Sequence, residues 1–463
     1  MSLSTAIPCG QHGASQKAFE AETLRRPPSL PVPNPTRSFW IDTPNGNPLA
    51  KEGSDGAFID DTDICIIGSG ITGVSAAYHL SIAVERGDIP RPADKPLRVL
   101  ILEARDFCSG ATGRNGGHLT PAVFLDFCGY QSRYGTAQAT RSFELENHTA
   151  SEIIKLIRKE GWTTAVDLID GGHITVFFTH SEFASAKADF EAAETAGVDL
   201  ANVRWLTETE MKARYGASYP GVEFGGFNLW PLKFVTQLYR SAKGITGSFE
   251  LNIHTRTPVM RISPSTSSSR RWAVQTPRGV LNCSYVIHAT NAYASYLIPH
   301  MYGPAGIIPT RGQVIASRAA ISARELCKCS WDGNEGFEYW FPRPVTGNER
   351  PLVILGGGRE VQNPDFEFYQ SDDSTVNQLV GVALRKFLPS VFPGKFAEEQ
   401  PEEEWTGIMG FTRSGDPFVG PVVNQTAADG GNFKGQYMSA GYSGHGMPRA
   451  FSCAGVYDLS RHF

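Results

Sequence analysis

The apolar positions of this chain fall into two rhythms, short clusters of strand type and longer helical stripes, after a polar lead-in. Residues 1–60 are rich in Pro, Ser, Gly and Asn ("RRPPSLPVPNPTRSFW"), which predicts an extended arm, with Phe39 and Trp40 as the side chains that pin it to the body. Regular structure is expected from "TDICIIGSG", where Ile64, Ile66 and Ile67 mark a buried strand, followed by a helix from Ile71 to about Glu85. A loop with three prolines ("GDIPRPADKP") leads into a second strand, "LRVLILE", giving the β-α-β order that a parallel sheet requires.

Further on, "TRSFELENHTASEIIKLIRKEG" has helical periodicity with a stop at Gly161, and "GGHITVFFT" reads as a strand. "SEFASAKADFEAAETAG" reads as a polar helix capped by Ser181, with Glu182 in its first turn. More strands are expected at "RWAVQTP", "YVIHAT", "GQVIAS", "FEYWFP" and "PLVILGGG", with "SPSTSSSRR" as an exposed hairpin loop. The tail "GQYMSAGYSGHGMPRAFSCAG" reads as strand, Gly-rich turn, helix. The strand-rich middle predicts an insertion. The arm would cover 1–60, a nucleotide-binding domain 61–160 with 230–300 and 402–463, and a substrate domain 161–229 with 301–401.

With 463 residues the chain is long enough for two or three domains with a buried core. A formal charge of -5 offers no surface for polyanions, so nucleic acid is an unsuitable partner. No run approaches the ~18 apolar residues of a membrane span. The opening "MSLSTAIPCGQHGASQ" lacks the basic and apolar regions of a signal peptide, so a cytoplasmic protein is expected, in which the sequons at Asn147 and Asn424 carry little meaning. Cysteines at 9, 65, 108, 128, 283, 327, 329 and 453 show no framework spacing and are expected as reduced, buried thiols. Cys327 and Cys329 stand too close for a zinc cage of their own, and no metal is expected.

Chemistry enters at "GSGITGVSAAYHL", a G-x-G-x-x-G motif that follows a strand and opens a helix. Gly68 permits the sharp turn, Gly70 lets a pyrophosphate approach the backbone, and Gly73 lets helix and strand pack closely, while Ile71 and Thr72 start the helix whose free N–H groups face the phosphates. Glu103 ends the next strand, followed by Ala104 and Arg105, and its carboxylate suits ribose hydroxyls while repelling a 2′-phosphate. FAD and NAD both satisfy these tests.

The segment "CSGATGRNGGHLTP" separates them. Its residues Ser109, Gly110, Ala111, Thr112, Arg114, Asn115, Gly116 and His118 closely resemble the pattern "GASGRNGG" of the D-amino-acid-oxidase-like (DAO) family of FAD-dependent oxidoreductases, nearest its γ-glutamylputrescine-oxidoreductase-type branch. "TPVMRI" with Val259, "YVIHATNAYAS" with Ala289, Thr290 and Asn291, and "DPFVGPV" followed by "AGYSGHGM" with Gly441, Tyr442, Gly444, His445, Gly446 and Met447 match the family's adenine-side and carboxy-terminal flavin segments. The resemblance runs from about residue 60 to about residue 455. It implies an α/β fold: a Rossmann-like FAD-binding domain with an inserted mixed-sheet substrate domain, of the DAO/glutathione-reductase-2 type.

The resemblance further implies that noncovalent FAD takes a hydride at N5 from the carbon beside an amine nitrogen of a small-molecule substrate, and that the imine then hydrolyses. The alternatives are an FAD dehydrogenase of a hydroxy acid or secondary metabolite and a flavin-bearing scaffold without turnover. Backbone N–H groups at residues 444–447 would stabilise reduced flavin. Tyr339, Arg359 and His445 are the candidate catalytic residues, and His173, Arg311, Tyr339 and Trp340 the candidate substrate contacts. Sarcosine-oxidase-type relatives grip a substrate carboxylate with a lysine where this chain has Pro448, followed by Arg449, and activate O2 with a lysine where it has Ile354. The acceptor, O2 or another, therefore stays open. "EEWTGIMGF" lacks the cysteine that tethers flavin in some members, leaving Cys108 as the other possible tether.

Overall fold

The structure, a computed structural model, describes residues 27–90, 94–245, 247–345, 348–424 and 433–455. Calls that fall elsewhere, among them Cys9 and the first 26 residues of the arm, lie outside the described residues.

A parallel sheet is built around the strand Asp61–Ile67, which pairs with Leu97–Leu102 on one side and Gly279–His288 on the other; Phe249–His254 and Gln436–Ala440 extend it. Both faces are apolar because both are covered. Ile64 and Ile66 point to the side packed by the helices Ile71–Glu85 and Pro231–Gly244, whereas Cys65 and Ile67 point to the opposite side, under the antiparallel ribbon formed by Arg261–Pro264, Trp272–Thr276 and Gly279–His288. The hairpin expected at "SPSTSSSRR" joins the first two of those strands.

A second, mixed sheet runs in the order Glu403–Phe411, Ile308–Arg318, Leu352–Gly357, Glu338–Pro342, Ser330–Gly333, His173–Val176, Gly221–Phe224, Arg204–Leu206. One face carries Ile174, Trp331, Trp340 and Leu355 and is sealed by Val380, Leu384 and Leu388 of the helix Gln378–Val391. The other face, which alternation assigns to His173, Ser330, Asp332, Tyr339, Phe341 and Gly356, looks toward the first sheet. The strand Glu403–Phe411 pairs with Ile308–Arg318 here, although the division at residue 402 assigns it to the nucleotide-binding segments.

The arm is threaded into the body. Trp40 is fully buried, donates its indole N–H to the Asn115 carbonyl at 2.6 Å and accepts from the Trp230 indole at 3.0 Å. Two local expectations need correction. The helix His180–Thr195 is capped by Thr179, not Ser181, because only Thr179 lies three residues before Glu182 and so completes a reciprocal capping box. Thr179→Ala is expected to cost about 1 kcal/mol in urea unfolding. Cys327 and Cys329 are disulfide-bonded rather than free thiols, since their Cα atoms stand 5.3 Å apart. Among the described residues no helix is long and apolar enough to cross a membrane, and no cluster of His, Cys, Asp and Glu could hold a metal ion.

Candidate active site

The first wall of the site is backbone. At the end of the strand Asp61–Ile67 the chain turns at Gly68 with φ +106°, where a side chain would press to 2.7 Å on the Ala289 carbonyl oxygen. One turn into the helix, a Cβ on Gly73 would overlap the Gly68 carbonyl oxygen, so this glycine fixes how closely helix and strand approach. The helix has no side-chain cap; the Ile71 N–H is met by Thr112 Oγ1 at 3.0 Å, tying the start of the helix to the glycine-rich loop. Glu103 accepts from the Ser69 N–H and hydroxyl at 2.9 and 2.7 Å and from the Arg105 N–H at 3.0 Å. Its carboxylate is thus held at the strand end by backbone.

The loop after that strand is locked by a buried ion cluster. Arg105 donates to both Asp373 oxygens at 2.9 and 3.0 Å, and Arg114 approaches Asp373 at 3.7 Å while donating to the carbonyls of Ser109, Thr36 and Thr406. Burial lowers the Arg114 guanidinium to about 10 against the pull of Asp373. A third segment closes the site: Asn291 Oδ1 accepts from the Gly441 N–H at 3.0 Å. The N–H groups of Gly444, Gly446 and Met447 have no backbone partner among the described residues, whereas that of His445 is taken by the Tyr442 carbonyl.

These segments enclose one continuous cavity of about 780 Å³ that runs from the glycine turn to the inward face of the second sheet. There Tyr339 lies over Gly116 and Gly356, whose missing side chains make room for its ring. Arg359 is buried against the rings of Phe337, Phe368 and Phe411, 5.1–5.3 Å from their centroids; Nη1 donates to the Phe366 carbonyl, and Nη2 has no partner among the described residues. Burial lowers this guanidinium to about 10 and raises the Tyr339 phenol to about 12. On the opposite wall Arg449 donates to Glu146 at 2.6 Å and to Asp416 at 3.0 Å, and His445 Nδ1 lies 3.3 Å from Glu146. Burial works against the Glu146 charge, but Arg449 and His445 outweigh it and hold the carboxyl down at about 2.

Of the residues singled out from the sequence, Gly68, Gly70, Ile71, Thr72, Glu103, Arg105, Thr112, Arg114, Asn115, His118, Val259, Thr290, Asn291, Tyr442 and His445 line the cavity together with His173, Tyr339 and Arg359. Gly73, Ser109 and Gly441 stand behind the lining. Two expected substrate contacts are not met, and the less favoured flavin tether is not on the wall. Trp340 points to the far face, stacked on Trp331 at 5.8 Å, because neighbours in a strand face opposite ways and Tyr339 already takes the inward position. Arg311 turns away to pair with Glu367. Cys108 is buried in the main core, off the cavity wall, and burial pushes its thiol up.

Glu146, Asp332, Ser330 and Asp373 were missed by sequence reasoning. Glu146 lies on an otherwise ordinary amphipathic helix and Asp373 in a loop, 268 residues from its partner Arg105, and nothing local marks either. For Ser330 and Asp332 the alternation in "SWDG" around the core residue Trp331 was a usable signal.

A dinucleotide fits this lining: two glycine-rich backbone turns flank a carboxylate, and the buried Thr290 Oγ1 on the wall has no partner among the described residues. Gly68, Gly70 and the start of the helix Ile71–Glu85 would hold the pyrophosphate, and Glu103 the ribose.

Comparison with known proteins agrees. The family described as FAD dependent oxidoreductase (DAO) matches residues 63–456. The chain is 26% identical over 398 residues to gamma-glutamylputrescine oxidoreductase of Escherichia coli K12, covering 83% of this chain and 80% of that protein. Its fold is similar to those of glycine oxidase from Bacillus cereus (TM-score 0.63, 19% identity, 87% of this chain and 95% of that one) and L-proline dehydrogenase from P. horikoshii (TM-score 0.61, 17% identity, 86% and 92%). With a family match over most of the chain and a cavity shaped for the dinucleotide, this protein belongs to the DAO family of FAD-dependent oxidoreductases and is an FAD enzyme.

Proposed function

We propose that the enzyme oxidises a C–N bond of an amine or amino-acid-like substrate to an imine, which then hydrolyses. The observation that carries this reading is the charge of the chamber beyond the dinucleotide cradle. Its lining has six carboxylates, Asp126, Glu146, Glu182, Asp189, Asp332 and Glu335, and two guanidiniums, Arg359 and Arg449. Arg449 is already offset by Glu146 and Asp416. Burial, reinforced by Asp189 and opposed by Arg133, raises the Asp126 carboxyl to about 6, a crowding that an incoming ammonium would relieve. A hydroxy acid, an anion only, would be repelled by the same walls. Two similar proteins, gamma-glutamylputrescine oxidoreductase and glycine oxidase, are named for nitrogen-bearing substrates.

FAD supplies the acceptor of the hydride that leaves the carbon beside nitrogen. The chain's own residues bind and orient. Arg359, with Nη2 open, would seat a carboxylate or carbonyl at the far end of the donor, and Tyr339 would bound the reacting carbon from the sheet side. FAD is held without a covalent bond, since Cys108 is off the cavity wall and Glu403–Phe411 carries no cysteine.

The test is anaerobic mixing with a panel of amines, N-alkyl amino acids and hydroxy acids while following the flavin absorbance. Bleaching by amines is the expected result; bleaching by hydroxy acids alone would overturn the reading, and a spectrum unchanged by every member would favour a non-catalytic flavoprotein. Arg359→Met is expected to raise the half-saturating concentration of carboxylate-bearing amines roughly tenfold or more, from about 1.5–3 kcal/mol of lost charge-assisted hydrogen bonding, and to leave simple alkylamines little changed.

A further inference from the structure

Resting on the amine-oxidising reading, we propose that His118 is a catalytic residue that receives the proton of the substrate ammonium, with His173 and Asp332 as the positioning residues that hold and charge-balance it. An amine arrives at neutral pH as an ammonium, and its carbon gives up hydride only when the nitrogen lone pair is free. A base on the chamber wall would take that proton.

His118 stands on the cavity wall in a two-residue strand paired with Asn228, and its ring is edge-on to Tyr339 and Phe341, with centroids 5.5 Å from each. Both of its ring nitrogens are buried and without a hydrogen-bond partner among the described residues, with the backbone of Gly116 and Trp331 close enough to favour the protonated ring. Leaving a buried imidazole unpaired costs about 1–3 kcal/mol, and a phenylalanine would fill the same space without that cost. The open nitrogens point to a ligand. Burial, helped by His173, lowers the imidazole to about 4, so it stands neutral before a substrate binds.

Behind it a polar chain leads inward. The His118 and His173 rings are T-shaped at 6.1 Å; His173 Nδ1 meets Ser330 Oγ at 2.8 Å, and Nε2 lies 3.3 Å from Asp332 Oδ1. Register makes this arrangement, because Ser330 faces His173 across one strand pair and Asp332 faces Tyr339 across the next. Burial raises the Asp332 carboxyl, but His173, Thr175 and His118 outweigh it and keep the group below its ordinary range, as an anion. The titratable groups that face His118 are thus His173, Asp332 and Tyr339. In the step proposed, one substrate N–H bond breaks and one imidazole N–H bond forms. The nitrogen keeps its electron pair, and the charge moves from the ammonium to an imidazolium at the head of a chain ending in a carboxylate.

The experiment compares His118→Phe, His118→Gln and Asp332→Asn with the parent FAD enzyme, following anaerobic flavin bleaching by a reactive alkylamine and by its fluorinated counterpart, whose ammonium is more acidic, from about pH 6 to about pH 10. Flavin bound per chain, read from the absorbance ratio, should match the parent. Both His118 variants should bleach ~100-fold more slowly with the alkylamine near pH 7, within the usual range for a positioned base, and recover to within ~10-fold near pH 10 or with the fluorinated amine. Asp332→Asn should shift the midpoint of the parent's pH profile downward, because a cation loses its proton more readily once the facing anion is gone. Equal slowing of both amines at every pH, or no slowing, would overturn the role of His118. If the parent's flavin is bleached by no amine, it is the amine reading that fails; if the parent bleaches normally and the variants keep its pH profile, only the His118 proposal falls.

Discussion

Gly73→Ala is expected to give protein that retains little FAD. The single added methyl would overlap the Gly68 carbonyl oxygen and meet the Ile66 side chain at 3.2 Å. The carbonyl is backbone at the strand end, and no rotamer change can move it aside. Relief requires the helix Ile71–Glu85 to shift away from the strand Asp61–Ile67, which tilts the free N–H groups out of line with the pyrophosphate. Overpacking of this kind costs about 1–3 kcal/mol, and a rigid neighbour places it at the upper end. The FAD dissociation constant should therefore rise between ~10- and ~100-fold, measurable by quenching of flavin fluorescence as apoprotein is added. Gly244→Ala is the control, because it is likewise a helical glycine without positive φ but its added methyl meets nothing within 4 Å. Equal FAD affinity in the Gly73 variant and the parent would contradict this account of the cradle.

Asp373→Asn is expected to be the most destabilising isosteric change in the molecule. Asp373 is 1% exposed and serves two guanidiniums, Arg105 and Arg114, that are 6% and 2% exposed. Removing its charge leaves two buried cations with one fewer counter-charge, a loss of about 3–5 kcal/mol. The same cluster holds the arm through Thr36, whose N–H donates to the Asp373 carbonyl at 2.8 Å, so the arm should also become more accessible to protease. Urea unfolding measures the first effect and limited trypsin digestion the second. The exposed pair Lys155 and Glu152 offers a contrast: Glu152→Gln should change stability by no more than about 0.5 kcal/mol. A loss at Asp373 as small as that would mean that water reaches the cluster.

Much of the site was legible because dinucleotide binding relies on local backbone. Gly68, Gly70 and Gly73 lie within six residues, and what they do for phosphate follows from turn geometry and helix polarity, which short stretches specify. The loop "CSGATGRNGGHLTP" and the tail "AGYSGHGM" were legible through their resemblance to the family's flavin segments. The chamber was harder to read. Tyr339 and Trp340 are adjacent aromatics of similar hydrophobicity, and which of them faces the cavity depends on the register of Glu338–Pro342 against Leu352–Gly357 and Ser330–Gly333. A slip of one residue would exchange them.

The pairing of Arg449 with Glu146, 303 residues apart, shows the same limit in electrostatics. The sequence shows Arg449 only as the residue after Pro448; in the fold it is paired with Glu146 and Asp416, and the chamber becomes acidic. The sequence by itself determined the β-α-β start of the first sheet, the glycine motif that opens its helix and the resemblance to the family, since each rests on residues close in the chain or on backbone conformations that glycine adopts easily. Only the tertiary structure decided the sign of charge in the cavity beyond the glycine turns, the inward face of the second sheet and the line from His118 to Asp332. Those depend on side chains brought together from distant segments, where burial and pairing, not composition, set which charges remain open.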